Sequence, residues 1–305
     1  MTDNWVDEAR RVAAGVRRRV LLHTVRNNGG YLSQACCGAE ILATLYTRVM
    51  HLGPPEGPRI PAGFPGVPGR SVAGEASGAS YNGASKPEYD RFILSSAHYA
   101  LVLYATLIEV GRMDPSGLDM FNQDGSNVEM IGAEHSPGME ATTGSLGQAL
   151  SVGIGRAIGR RRKGHSGRLW VMMSDGELQE GQTWEALLAA AHYQLDNLGV
   201  YLDANGSQCD GPTQSIMTVD PVADKIRAFG WRVYEVDGHD VEALAAPVRE
   251  SSDPRPMMVI ARTNPSQGIP SLRRRAPSFH YVRFRPGEAA EALADLGMTM
   301  EEVGA

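Results

Sequence analysis

The sequence predicts a doubly wound α/β domain, a parallel sheet with helices on both faces. Three observations lead there. Short apolar runs of five or six residues recur along the chain (RFILS, LWVMM, GVYLD, WRVYEV, MMVIA), helical patterns of ten or more residues separate most of them, and polar glycine-bearing turns follow several. Parallel strands cannot be joined by hairpins and need a crossover long enough for a helix. Strands buried on both faces read as near-continuous apolar runs.

The elements follow in order. Residues 5–25 place Val6, Ala9, Val12, Ala13, Val16, Val20 and Leu21 at helical spacing with arginines between them, an amphipathic helix. A second helix is expected over residues 38–50. Residues 53–85 are dominated by Gly, Pro, Ser and Ala, which predicts a long surface insert that is mobile or orders only on contact. Then come a strand at 91–95, a helix at 98–110, a helix at 144–158 and a strand at 169–173. A helix at 180–195 and a strand at 199–203 follow, then a helix at 222–229, a strand at 231–236, a helix at 240–249 and a strand at 257–261. A short helix opens a C-terminal tail at about 286–305, and residues 1–305 read as a single domain.

Composition narrows the function class. The chain has 305 residues, 42% hydrophobic and 21% charged, which excludes collagen-like, disordered and disulfide-scaffold proteins. A net charge of −6 argues against nucleic acid or an anionic membrane as partner. Cys36, Cys37 and Cys209 form neither a closed disulfide set nor a metal motif, so a cytoplasmic location is expected. The first turns are charged, and nowhere do eighteen uncharged apolar residues run together, so neither a secretory signal nor a membrane span is expected.

Ligands of such sheets sit beyond the carboxyl ends of the strands. Asp175 stands at one strand end and Asn205 just past the next, thirty positions later. A carboxylate and an amide oxygen are hard ligands suited to Mg²⁺, which leaves positions for phosphate oxygens. Gly176 would let the backbone approach that phosphate. The alternative is that Asp-Gly and Asn-Gly are ordinary turn dipeptides. In the helix expected from residue 144, Gly147, Ser151, Gly155 and Gly159 recur every four residues, a stripe for close packing, while TTGSLG offers backbone N–H groups to an anion.

These residues carry a resemblance. SDGELQEG followed by DANGSQCDG resembles the thiamine diphosphate fingerprint of the transketolase family; DRFILSSAHYALVLYATL, HSPGMEATTGSLGQALSVGIGRAIG and VDGHD resemble three further family segments in the family's order. The resemblance implies thiamine diphosphate and Mg²⁺ as cofactors. It implies Asp175, Asn205 and the Ser207 carbonyl as metal ligands, Gly176 and Glu177 along the diphosphate, and Gly144, Ser145 and Leu146 at the cofactor's border. His98 and His280 would meet the diphosphate, and His135 is either the substrate-facing histidine or structural. Glu180 and Glu185 resemble positions near the subunit interface, or are simply an acidic first helical turn.

Two departures stand out. Ser174 replaces the fingerprint's first glycine, and Tyr31 falls where the family carries a substrate-site histidine. With an ordinary pKa of about 10, tyrosine is a weak base near neutrality, so altered substrate choice is expected. Arg273, Arg274, Arg275, Arg283 and Arg285 flank His280 and either bind a substrate phosphate or form a solvated loop. The run Arg160 to Lys163 reads as a solvated cap at a helix C-terminus.

The resemblance covers the diphosphate-binding domain but not the pyrimidine-binding domain that completes the family's active site. It therefore implies one subunit of a split enzyme, with a C-terminal transketolase-like partner in an α₂β₂ heterotetramer. Two-carbon ketol transfer from a ketose or ketose phosphate to an aldehyde is the leading expectation. Acyloin formation or decarboxylation of a 2-oxo acid such as pyruvate, and a non-catalytic regulatory subunit, stay open.

Overall fold

The computed structural model describes residues 4–64, 66, 78–250 and 253–303. Five parallel strands form the main sheet in the order β1-β2-β3-β7-β6. They are β1 (Arg91–Leu94), β2 (Leu169–Ser174), β3 (Leu198–Ala204), β6 (Arg232–Asp237) and β7 (Met257–Arg262); β4 (Ser207–Gln208) and β5 (Gly211–Pro212) make a small antiparallel pair. The helices are α1 (Trp5–Arg26), α2 (Leu32–Thr44), α3 (Ala100–Glu109), α4 (Ala149–Arg162), α5 (Gly181–His192), α6 (Thr213–Ile216), α7 (Val222–Ala228), α8 (Val241–Ala245) and α9 (Glu288–Asp295). The doubly wound prediction holds.

The period-two alternation of the strands divides the core into two layers. Phe92, Leu94, Trp170, Met172, Tyr201, Met257 and Val259 face one way, against α1, α2, α3, α8 and α9. Ile93, Leu169, Val171, Met173, Val200, Leu202, Met258 and Ile260 face the other, against α4, α5 and α7. Trp170 is wholly buried and lies across Gly199, its register partner on β3, where a Cβ would overlap the indole ring.

Two helix starts differ from the sequence reading. α2 begins at Leu32, six residues earlier than expected, and all its residues are buried. A helix enclosed on every side shows no apolar stripe at its start. α4 begins at Ala149 rather than 144, because Gly147 takes a left-handed φ of +77°. TTGSLG is therefore a loop before the helix. Half of the expected small-residue stripe packs within the chain: a Cβ at Gly147 would lie 2.5 Å from Glu180 Cβ and Gln182 Nε2 donates to Ser151 Oγ at 3.2 Å, whereas a Cβ at Gly155 or Gly159 would meet open space, and it is Gly153 that meets Val171.

Part of the Gly/Pro-rich insert, residues 65 and 67–77, lies outside the described residues. Its end is bound into the body. A 3₁₀ turn, Gly78–Asn82, buries Asn82 completely, with Tyr46 Oη donating to Asn82 Oδ1 (2.8 Å) and Asn82 Nδ2 donating to Glu140 (2.9 Å). Arg274 and Arg275 pair with Glu291 and Glu288, so they fasten the Pro270–Arg275 turn to α9 and its entry. Arg160 is likewise no solvated cap: it is buried and donates to the carbonyls of Gly167, Pro87 and Tyr89. No helix among the described residues is long and apolar enough to cross a membrane.

Candidate active site

The strand register sets the two polar turns side by side. Ser174 pairs with Asp203, so the turns after β2 and β3 leave the sheet next to each other, and Gly206 N donates to Asp175 Oδ2 at 2.7 Å. Above them lies a pocket of about 330 Å³. Tyr31, His98, Gly144, Leu146, Gly176, Asn205, Ser207 and His280 line it, as expected from sequence. Gln34, Tyr99, Ile131, Ser174, Gln179, Glu180, Gln208, Cys209 and Asp210 also line it. A larger groove of about 440 Å³ lies between the end of α1 and residues 115–123. It is lined by none of the candidate residues, so the smaller pocket is the candidate site.

Asp175 is 5% exposed, and its Oδ1 is buried without a partner. Burial first, and the Asp203 carboxylate second, push it up to about 7. Asn205 accepts from Ser207 N at its Oδ1 (2.8 Å), which leaves a second lone pair on that oxygen. Ser207 sits opposite Pro212, which has no N–H to give the Ser207 carbonyl. Among the described residues no three His, Cys, Asp or Glu side chains converge on a metal. A hard cation here would draw on one carboxylate, one amide, one backbone carbonyl and oxygens of a bound phosphate. An unpaired buried carboxylate oxygen fits that role. At Gly176 a Cβ would meet only the Gln208 side chain, at 3.5 Å and beyond, so glycine leaves the pocket floor bare rather than answering a need of the chain.

The opposite wall is aromatic. Tyr31, at the entry of α2, lies 5.3 Å from the His98 ring, 5.5 Å from His280 and 5.1 Å from Tyr281, and the two histidine rings are 5.0 Å apart. Burial, and then His280, hold His98 down to about 3, and burial also lowers His280. Both imidazoles are neutral near pH 7. Burial raises Tyr31, so its hydroxyl is a hydrogen-bonding group and not a base at that pH. Gln34 Nε2 donates to the His280 carbonyl at 3.1 Å, which ties the late loop to α2.

Several expected residues are placed elsewhere. Glu177 is 0% exposed and does not line the pocket. Its carboxylate accepts from Ser95 Oγ, Ser96 Oγ (2.8 Å), Ser174 N (2.9 Å) and Gly147 N (3.1 Å), fastening the loops around the pocket. His135 faces Glu129 (3.1 Å) and the Phe64 ring (4.6 Å) and has no place in the pocket wall. Ser145 is exposed beside the pocket without lining it, and Glu185 is exposed on α5. Asp203 was missed because it reads as the polar end of a strand. Yet it is fully buried and accepts from Tyr99, Thr263 and Asn205.

Comparison with known proteins agrees with this geometry. A family profile described as "Transketolase, thiamine diphosphate binding domain" matches residues 79–302. The chain is 36% identical over 292 residues to a transketolase family protein of Sinorhizobium fredii, covering 92% of this chain and 95% of that one. It is 32% identical over 294 residues to one of the subunits of the apulose-4-phosphate transketolase of Actinobacillus succinogenes, covering 95% and 96%. Among solved structures, the transketolase of Pichia stipitis superposes with a TM-score of 0.78 at 24% identity, covering 98% of this chain and 42% of its own. The chain thus spans about two fifths of that structure. With a thiamine diphosphate binding domain matched over most of its length and relatives of its own size that carry the family name, this chain belongs to the transketolase family.

Proposed function

We propose that this chain is the diphosphate- and Mg²⁺-binding subunit of a split transketolase, moving a two-carbon ketol unit from a ketose or ketose phosphate to an aldehyde. The observation that carries the reading is the buried, unpaired Asp175 Oδ1, between the pocket-lining Ser174 and Gly176 and on a carboxylate whose other oxygen accepts from Gly206 N, next to the pocket-lining Asn205. Asp175, Asn205 and the Ser207 carbonyl would hold the metal. Gly176 gives the diphosphate room, and His98 and His280, neutral and facing the pocket, would hydrogen-bond it. Bound there, thiamine diphosphate supplies the electron sink that two-carbon transfer between carbonyl compounds requires.

The relative from Actinobacillus succinogenes is named as one of the subunits of an enzyme acting on a sugar phosphate, which supports a two-chain enzyme and a phosphorylated substrate. The partner would be a C-terminal transketolase-like chain supplying the pyrimidine-binding domain, in an α₂β₂ assembly and in the cytoplasm. Tyr31 on the pocket wall also favours a second reading, acyloin formation from a 2-oxo acid, because no histidine stands there to read donor hydroxyls.

The test is reconstitution. Alone, with thiamine diphosphate and Mg²⁺, the chain should show no ketol transfer; with the partner it should turn over a ketose phosphate faster than pyruvate. Turnover without a partner would remove the split-enzyme reading. Turnover of pyruvate alone would favour the acyloin reading.

A further inference from the structure

We infer that Asp203 is a positioning residue that fixes which atom of the Asn205 amide faces the metal position; this rests on the metal reading above. The amide of an asparagine has two nearly identical orientations, and its neighbours decide between them. Three neighbours decide here. Asn205 Nδ2 donates to Asp203 Oδ2 at 3.1 Å and to Tyr99 Oη at 3.3 Å, while Asn205 Oδ1 accepts from Ser207 N at 2.8 Å. Tyr99 Oη is committed as a donor to the same Asp203 oxygen, so it can only accept from Asn205. A flipped amide would set its oxygen against a carboxylate oxygen and its NH₂ against the Ser207 N–H.

Asp203 is itself immobilised. It is 0% exposed, and Thr263, the residue after β7, donates to its other oxygen. The amide orientation is thus built in by side chains from the end of β3, the residue after β7 and the entry of α3 before any ligand arrives. This explains why a carboxylate is buried two residues from the turn with no basic side chain among its hydrogen-bond partners. It also explains why position 205 carries an amide when a carboxylate is the commoner hard-cation ligand. A carboxylate at 205 would face the Asp203 carboxylate at the distance the amide now occupies.

The test is an exchange of the two side chains in the chain assembled with its partner, read by Mn²⁺ titration in the presence of thiamine diphosphate, with free Mn²⁺ followed by electron paramagnetic resonance. Asn205→Asp should weaken Mn²⁺ at least tenfold although it adds a ligand charge. Asp203→Asn should stay within about threefold of wild type, its amide oxygen still accepting from Asn205 and Tyr99. The double exchange should regain most of the loss, since an amide at 203 then donates to the carboxylate at 205. Asp203→Ala should weaken Mn²⁺ like Asn205→Asp; if it does not fold, the exchange decides, because it preserves atoms and volume. Equal or tighter binding by Asn205→Asp, or a double variant no better than the single, overturns the inference. A wild-type assembly that binds no Mn²⁺ overturns the metal reading and the inference with it.

Discussion

Glu177→Gln tests how the pocket is held together. The Glu177 carboxylate is wholly buried, with Oε1 accepting from Ser95 Oγ and Gly147 N and Oε2 from Ser96 Oγ and Ser174 N. Glutamine keeps the volume but can offer one acceptor oxygen, so whichever way the amide lies one backbone N–H loses its partner and meets an NH₂. A hydroxyl can turn elsewhere, as Ser96 Oγ already reaches Ser174 Oγ at 2.9 Å, but a backbone N–H cannot. Losing a hydrogen bond to a charged acceptor costs about 1.5–3 kcal/mol, and a stranded buried donor adds about 1–3 kcal/mol. We expect a net destabilisation of about 3 kcal/mol, or a thermal midpoint lower by roughly 5 °C in a domain of this size. Circular dichroism melts measure it, with Glu180→Gln, exposed in the same segment, as the control that changes little. The Gly147 amide should also exchange with solvent about a hundredfold faster. Stability within about 0.5 kcal/mol of wild type would refute the bonding scheme.

Other outcomes follow from the same structure. Gly199→Ala forces a methyl into the buried Trp170 ring and should destabilise by about 2 kcal/mol, read by urea unfolding; a neutral result contradicts the packing. His23, in edge contact with Phe121 at 4.5 Å, is lowered to about 4 by burial, with Arg26 adding to the shift. Its folded pKa lies below the unfolded value of about 6.5, so the unfolded chain takes the proton first. Stability is full above pH 6.5 and falls as pH drops toward 4, by at most about 3 kcal/mol from this group. His23→Phe should flatten that slope, and an unchanged slope would contradict the assignment.

What could be read from sequence followed physical signal. Five strands were legible because each is a short apolar run between polar turns, and the adjacency of the Asp175 and Asn205 turns was legible because each follows one of two neighbouring strands. The start of α2 was hidden by burial on all sides, which removed Gln34 from the expected pocket. Glu177 read as a pocket residue because the family resemblance places it along the diphosphate, but a 3₁₀ turn over Asp175–Gln179 directs its carboxylate inward. His135 likewise adjoins a family motif and yet turns to Glu129. Asp203 depends on Tyr99, 104 residues before it, and Thr263, 60 residues after it, and no local pattern announces such a meeting.

The central claim is that the turns after β2 and β3 bind the diphosphate cofactor through a divalent cation. Isothermal titration of thiamine diphosphate, with and without Mg²⁺, into wild-type and Asp175→Ala protein assembled with the partner chain measures it directly. The account predicts Mg²⁺-dependent binding by wild type and its loss in a folded Asp175→Ala variant. Equal affinity in the presence of a chelator, or unimpaired binding by Asp175→Ala, would contradict it.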